Sequence, residues 1–150
     1  MSEVFFYHLT ESSVDEALPA LVEKSVARGW RAAIQSDSAE LRDRLDTHLW
    51  TYRPEGFLAH GADGCDHPES QPVLLTTETA NPNGADIRFL IGRAEPPDDL
   101  SGYERVVLMF DGLDEDALAS ARGHWKALKA AGHQLTYWQQ DNEGRWERKA

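Results

Sequence analysis

The residues best suited to chemistry lie in one segment, 122–129, whose sequence RGHWKALK combines cations with an indole. No Asp or Glu occurs from residue 117 to residue 140, although the chain has 26 of them and a net charge of −11. Arginine and lysine pair with carboxylates, and an indole offers an apolar surface to an aromatic ring. The segment therefore predicts a binding site for a small acidic partner, such as a peptide with a free carboxylate, acidic side chains and an aromatic residue.

A helix predicted over residues 114–131 carries this segment, because acids occupy its first turn and Gly132 follows its end. At about 100° per residue, the small and apolar side chains fall on one side and predict the buried face: Ala117, Ala121, His124 and Leu128. The cations share another arc of about 60°: Arg122, Lys126 and Lys129. Trp125 falls on the border. The alternative is an ordinary amphipathic helix whose charges only complement its macrodipole.

Alternating strands and helices surround this helix. A strand over residues 4–9 precedes a capping box, Ser13 with Glu16, and a helix that ends near Gly29. A second helix is marked by leucines at positions 41, 45 and 49. Further strands are predicted over residues 30–35, 73–77, 87–91, 105–110 and 134–140, with a short return over 146–149. The pattern predicts one α/β domain over residues 1–150, Rossmann-like, with a mostly parallel central sheet and helices on both faces.

The composition limits the classes of function. The longest unbroken apolar run is five residues, 106–110, far short of the ~20 that cross a bilayer, so no membrane partner is expected. The chain starts without a leader pattern, and the single Cys65 cannot form an internal disulfide, so we expect a cytoplasmic protein. The acidity disfavours direct binding to a phosphate backbone, which depends on Lys and Arg, although it could also serve solubility alone.

Motifs for catalysis are missing from the sequence. A dinucleotide site needs a glycine-rich turn after the first strand, whereas residues 9–13 read LTESS. His60, Cys65, Asp66 and His67 are residue types that bind zinc, but their spacing matches no familiar pattern and favours a polar surface loop. Nothing near Cys65 marks it as a nucleophile. We therefore expect no intrinsic catalysis, no cofactor and no metal.

Seven short motifs occur in order along the chain: FYHL at 6–9, LDTHLWT at 45–51, FLAHG at 57–61, QPVLL at 71–75, FDG at 110–112, ARGHWK at 121–126 and GHQLTYW at 132–138. Together they resemble the chi subunit of bacterial DNA polymerase III over most of the chain. The resemblance implies a Rossmann-like fold that does not bind nucleotide. It also implies a place in the clamp-loader assembly through the psi subunit, and contact with the acidic C-terminal tail of single-stranded DNA-binding protein.

The resemblance also assigns residues to these partners. The acidic tail is expected at four residues of the basic helix and at the tryptophan of the LDTHLWT motif: Arg122, Trp125, Lys126, Lys129 and Trp50. Phe57 is expected to contact psi, on a surface that an iron–sulfur DNA helicase would share. The leading hypothesis is thus a non-catalytic adaptor with little direct DNA binding. Two alternatives stay open, a Rossmann-type nucleotide-binding enzyme and a direct binder of single strands through stacked tryptophans.

Overall fold

The computed structural model describes residues 3–51 and 60–150, which form three helices and an eight-stranded sheet. The strands are β1 (Glu3–Leu9), β2 (Ala32–Ser36), β3 (Gly61–Ala62), β4 (Val73–Thr76), β5 (Ile87–Ile91), β6 (Arg105–Asp111), β7 (Gln134–Gln140) and β8 (Trp146–Arg148). The helices are α1 (Val14–Ala27), α2 (Ala39–Thr51) and α3 (Glu115–Ala130), and a short 3₁₀ turn covers Pro68–Ser70. In the described ranges, no helix is long and apolar enough to span a membrane.

The sheet has the strand order β3-β4-β2-β5-β6-β1-β7-β8. All neighbouring strands run parallel except β7 and β8, which form an antiparallel pair. The predicted fold class, a mostly parallel α/β sheet, is confirmed. The short return at the end of the chain is the one antiparallel addition to the sheet of the described residues.

The helices are divided between the two faces of the sheet. Alternate residues of each strand enter two separate apolar cores, so that Val107 packs with α1 and α2 whereas Leu108 packs with α3. The connection from β1 through α1 to β2 runs toward the β3 edge of the sheet, whereas the connection from β6 through α3 to β7 runs toward the β8 edge. Right-handed crossovers in opposite directions deliver their helices to opposite faces. Helices α2 and α3 therefore lie on different sides of the molecule.

The two ends of α1 follow from local sequence. The Ser13 side chain accepts the Glu16 N–H at 3.2 Å, and the Glu16 carboxylate accepts the Ser13 N–H at 3.0 Å, which confirms the predicted capping box. At the other end Gly29 has φ 86°, and the Trp30 N–H still donates to the Ser25 carbonyl at 3.1 Å. Strand β2 consequently starts at Ala32, two residues later than the sequence predicts.

A buried arginine joins the long connections on the α3 face to the sheet. Arg88 of β5 is fully buried and donates to the carbonyl oxygens of Glu78 and Ala80, the latter at 3.0 Å. It also donates to the Gln35 side chain at 2.9 Å and to the Tyr103 hydroxyl at 3.1 Å. Glu78 and Ala80 belong to the chain before β5, and Tyr103 belongs to the chain before β6. Arg88 therefore holds both connections against the sheet.

Candidate peptide-binding groove

Helix α3 forms where the sequence predicts it and turns its apolar side to the sheet. The Asp114 carboxylate caps the helix by accepting the N–H groups of Asp116 at 3.0 Å and Ala117 at 3.2 Å. The small and apolar residues of the predicted inner face are buried: Ala117, Ala121 and Leu128. The opposite side of the helix is consequently left to its cations.

A groove of about 360 Å³ opens beside α3, lined by Arg122, Trp125, Lys126, Tyr137 and Ala150. Helix α3 supplies the first three residues, and β7 supplies Tyr137. The structure therefore brings three of the residues predicted for the acidic tail into one groove. Lys129, a fourth, lies about one turn further along the same helix and is exposed.

Aromatic side chains fix the floor of this groove. The Trp125 ring meets Phe6 edge-on with centroids 5.2 Å apart, and meets Tyr137 edge-on at 5.7 Å. Phe6 is fully buried, so it anchors the half-buried indole from below. Edge-to-face rings of this kind hold each other in one orientation. The floor is therefore a rigid, partly exposed apolar surface.

The cations beside this floor have no acidic partner in the part of the chain that the structure describes. Arg122, Lys126 and Lys129 are exposed, and none forms an ion pair with any residue that the structure describes. Elsewhere arginines do find acids, as Arg42 does with Asp63 at 3.0 Å. In a chain with a net charge of −11, three unpaired cations on one helix face favour an anionic ligand.

Two residues that the sequence does not assign to the site adjoin it. The His8 Nδ1 atom lies 2.7 Å from the Tyr137 hydroxyl, and Tyr137 lines the groove. Burial lowers the pKa of His8, the nearby positive charge of Arg122 lowers it further, and Asp111 opposes both. Burial also raises the pKa of Tyr137, against the effect of Arg122. Strand alternation alone could not show which side of β7 faces α3, so no sequence pattern signalled this pair.

The structure does not place Trp50 among the residues that line the groove. Trp50 ends α2, whose buried residues Leu45 and Leu49 belong to the core on the opposite face from α3. Its ring is 52% exposed and lies 4.3 Å from the His60 ring, centroid to centroid. Two helices on opposite faces cannot supply one short peptide site. Phe57, the residue predicted for psi, lies outside the described residues.

The segment considered for a metal is not wholly a surface loop. His60 is buried, and its Nε2 atom lies 3.1 Å from the Asp46 carboxylate, whereas the His67 side chain is 80% exposed. Among residues 3–51 and 60–150, no group of three or more His, Cys, Asp or Glu side chains is placed to hold a metal ion. His60 contributes to packing beneath α2, which residue spacing did not predict.

The turn after β1 holds a side chain where a nucleotide-binding fold would hold phosphate. The backbone N–H groups of Thr10, Glu11 and Ser12 each donate to the Gln140 Oε1 atom at 3.0 Å. Such converging N–H groups before a helix are the ones that bind phosphate in dinucleotide sites. Gln140 is buried and also donates to the Ser12 hydroxyl at 3.0 Å. The geometry thus disfavours the nucleotide-binding alternative.

The fold and the groove together define a class of protein. It is a Rossmann-like domain with a cationic, aromatic groove, in which a glutamine side chain occupies the turn after β1 where other such domains bind phosphate. The chain belongs to the DNA polymerase III chi subunit (HolC) family, whose family model matches residues 1–136. A relative from Rickettsia prowazekii (strain Madrid E), described as a probable DNA polymerase III subunit chi, is 24% identical over 120 residues, covering 76% of this chain and 73% of the relative. This family match confirms the resemblance predicted from the seven motifs and places the chain in DNA replication. Chi is an accessory subunit of the polymerase and has no catalysis of its own.

Proposed function

We propose that this chain is an adaptor that joins the clamp loader, through psi, to the acidic C-terminal tail of single-stranded DNA-binding protein. The observation that carries the proposal is the groove beside α3, where unpaired Arg122 and Lys126 border the half-buried Trp125. A peptide with carboxylates and an aromatic end matches both parts of this surface. The partners of such an adaptor are other proteins of the polymerase holoenzyme.

The expected strength of this contact is moderate. Each charge-assisted hydrogen bond contributes about 1.5–3 kcal/mol, and burying one aromatic side chain contributes about 1.5–3 kcal/mol. Two or three such contacts, less the cost of association, correspond to a dissociation constant of about micromolar. An affinity in that range suits a reversible tether between the polymerase and protein-coated single strands.

A second surface on the opposite face supports the proposed contact with psi. Trp50 is 52% exposed at the end of α2 and lies close in sequence to Phe57, which the family resemblance assigns to psi and to an iron–sulfur helicase. Exposed large aromatic residues are typical anchors of protein interfaces. Because α2 and α3 lie on opposite faces, one chain could hold psi and the acidic tail at the same time.

Calorimetric titration with a short acidic peptide that ends in phenylalanine tests the groove. Arg122→Ala and Lys126→Ala should each raise the dissociation constant about tenfold or more, because each removes a charge-assisted contact. Amidating the peptide terminus should weaken binding in the same way. Lys24→Ala is the matched control, since Lys24 is exposed on α1 at the other face and should leave the titration unchanged. Equal affinities for all four proteins would contradict the proposal.

A pull-down from the native host, with mass-spectrometric identification, tests the second surface. The wild-type chain should recover clamp-loader subunits, whereas Trp50→Ala and Phe57→Ala should lose them. Arg122→Ala should retain them, because its groove lies on the other face. Recovery of these subunits by all variants alike would contradict the assignment of the surface to psi.

The remaining alternatives are separated by simpler assays. A nucleotide at a hundred times its dissociation constant would stabilise a nucleotide-binding protein by about 2.7 kcal/mol. If the chain is an adaptor, a thermal-shift series with nucleotides should show no such change. Direct binding of naked single strands would show a steep salt dependence. The adaptor is expected to have little affinity for naked DNA at any salt concentration.

A further inference from the structure

His8 and Tyr137 form a half-buried connection between the sheet and the groove. The Tyr137 ring is part of the groove lining, and its hydroxyl lies 2.7 Å from the His8 Nδ1 atom. The imidazole lies against Gly112, just after β6, where glycine leaves room for it: a Cβ atom added at that position would be only 1.9 Å from the His8 Nε2 atom. The ring also lies 5.2 Å from Phe110, centroid to centroid. The pair is therefore held in place on all of these sides.

The direction of this hydrogen bond decides what the groove offers to a ligand. A phenolic hydroxyl has one proton, and a neutral imidazole has one N–H. If the hydroxyl donates to Nδ1, its proton faces His8 and not the groove. If His8 donates from Nδ1, the Tyr137 hydroxyl proton is free to bind a carboxylate in the groove. A doubly protonated His8 can only donate, so protonation fixes the second arrangement.

We propose that Tyr137 is a further carboxylate-recognising residue of this groove and that His8 positions its hydroxyl, so that His8 takes up a proton when an acidic peptide binds. The proposal rests on the proposed function of the groove and adds to it a proton-linked contact. His8 acts through Tyr137 and is a positioning residue. Tyr137 is the residue that touches the ligand.

The charges around His8 give the sign of the effect. The described charged or titratable groups that face it are Asp111 at the end of β6, Arg122 of α3 and Tyr137 of β7. In the free chain, burial and then Arg122 hold the pKa of His8 below its usual range. A ligand carboxylate beside Arg122 offsets that positive charge and raises the pKa of His8 in the complex. Affinity should therefore increase as the pH falls through the pKa of the complex, and level off below that of the free chain.

Titration of the full chain with the acidic, phenylalanine-ended peptide between about pH 8 and about pH 5.5 tests this proposal, because the peptide carboxylates stay ionised over that range. The dissociation constant should fall about three- to tenfold toward the lower pH, as one linked proton allows at most about tenfold for each unit of pH. Wild-type calorimetry in two buffers of different ionisation enthalpy should show net proton uptake. This readout needs no variant, so it holds even if a substitution impairs folding.

Variants separate the pair from the other histidines. Tyr137→Phe should keep the aromatic floor but weaken peptide binding and reduce the pH dependence, because the phenolic contact with the ligand is lost. His8→Gln should remove the pH dependence and the proton uptake, because it removes the group that titrates. His124→Gln is the matched control, because His124 lies on α3 but pairs with Glu95 at 3.1 Å on another side of the helix, and its pH profile should match the wild type. A peptide that binds with a flat pH profile would overturn the proton link alone. A peptide that binds at no pH would instead overturn the proposed function of the groove.

Discussion

At the scale of single residues, Gln140 shows how one side chain sets what a fold can bind. Its Oε1 atom accepts three backbone N–H groups of the turn after β1, which is the part of a Rossmann-like sheet that otherwise receives phosphate. The same residue is buried at the end of β7 and pairs with Trp146 in the register of β8. A glutamine at the end of a strand has no distinctive sequence signature. The sequence correctly showed that glycine was missing from the turn after β1, but it could not show which side chain would accept the N–H groups of that turn.

Gln140→Leu should destabilise the chain by about 1–2 kcal/mol, because three backbone N–H groups of the turn lose their acceptor. Urea unfolding at neutral pH measures the change. Gln139→Leu is the matched control, since Gln139 is the neighbouring, half-buried glutamine, and its effect should be clearly smaller. If the two substitutions had equal effects, Gln140 would have no special part in this turn.

At the scale of elements, α3 is the part of the structure that the sequence predicted best. Its acidic first turn, its apolar spacing and the glycine after its end are local signals, and the helix runs from Glu115 to Ala130 as they indicate. The separation of Trp50 from the groove belongs to the same scale. Periodicity shows which side of a helix is apolar, but the face of the sheet on which α2 packs depends on the strand order and the crossover direction. Neither of these is local to the LDTHLWT motif.

Gly112, which follows β6, and Gly123, within α3, should respond in opposite ways to alanine. Gly123 lies within α3 with no atom within 4 Å of a new Cβ, so Gly123→Ala should stabilise the chain by about 0.5–1 kcal/mol. Gly112 would place a Cβ 1.9 Å from His8 and 2.9 Å from the Leu9 carbonyl oxygen, so Gly112→Ala should destabilise it. Thermal unfolding of the two variants measures both effects. A loss of stability in Gly123→Ala would mean that α3 is not a regular helix at this point.

At the scale of the whole molecule, the sheet separates two exposed surfaces. Helix α3 and the groove lie on one face, while α1, α2 and the exposed Trp50 lie on the other. The sequence predicted the parallel sheet with helices on both faces, because strand and helix patterns alternate along the chain. The strand order was not predictable, since it depends on contacts between residues far apart in sequence. Strand β3, Gly61–Ala62, is also too short to leave a periodic signal.

Arg88 supports this architecture from within. Arg88→Leu should lower the free energy of unfolding by about 3 kcal/mol, because the buried Gln35 side chain and Tyr103 hydroxyl, and the carbonyl oxygens of Glu78 and Ala80, lose this donor. Arg93→Leu is the matched control: Arg93 is exposed, and its loss should change stability by less than about 0.5 kcal/mol. Urea unfolding curves compare the two. A tolerated Arg88→Leu would show that the long connections are held by other contacts.

The central claim, that the groove beside α3 receives an acidic, aromatic-ended peptide, is tested most directly by NMR titration of the isotope-labelled chain with that peptide. The account predicts the largest shifts at the backbone amides of residues 122–129, at Tyr137 and at the Trp125 indole N–H. The Trp50 indole N–H and the amides of residues 10–12 should hardly move. Shifts concentrated on α2 or on the turn after β1, with α3 unchanged, would contradict it.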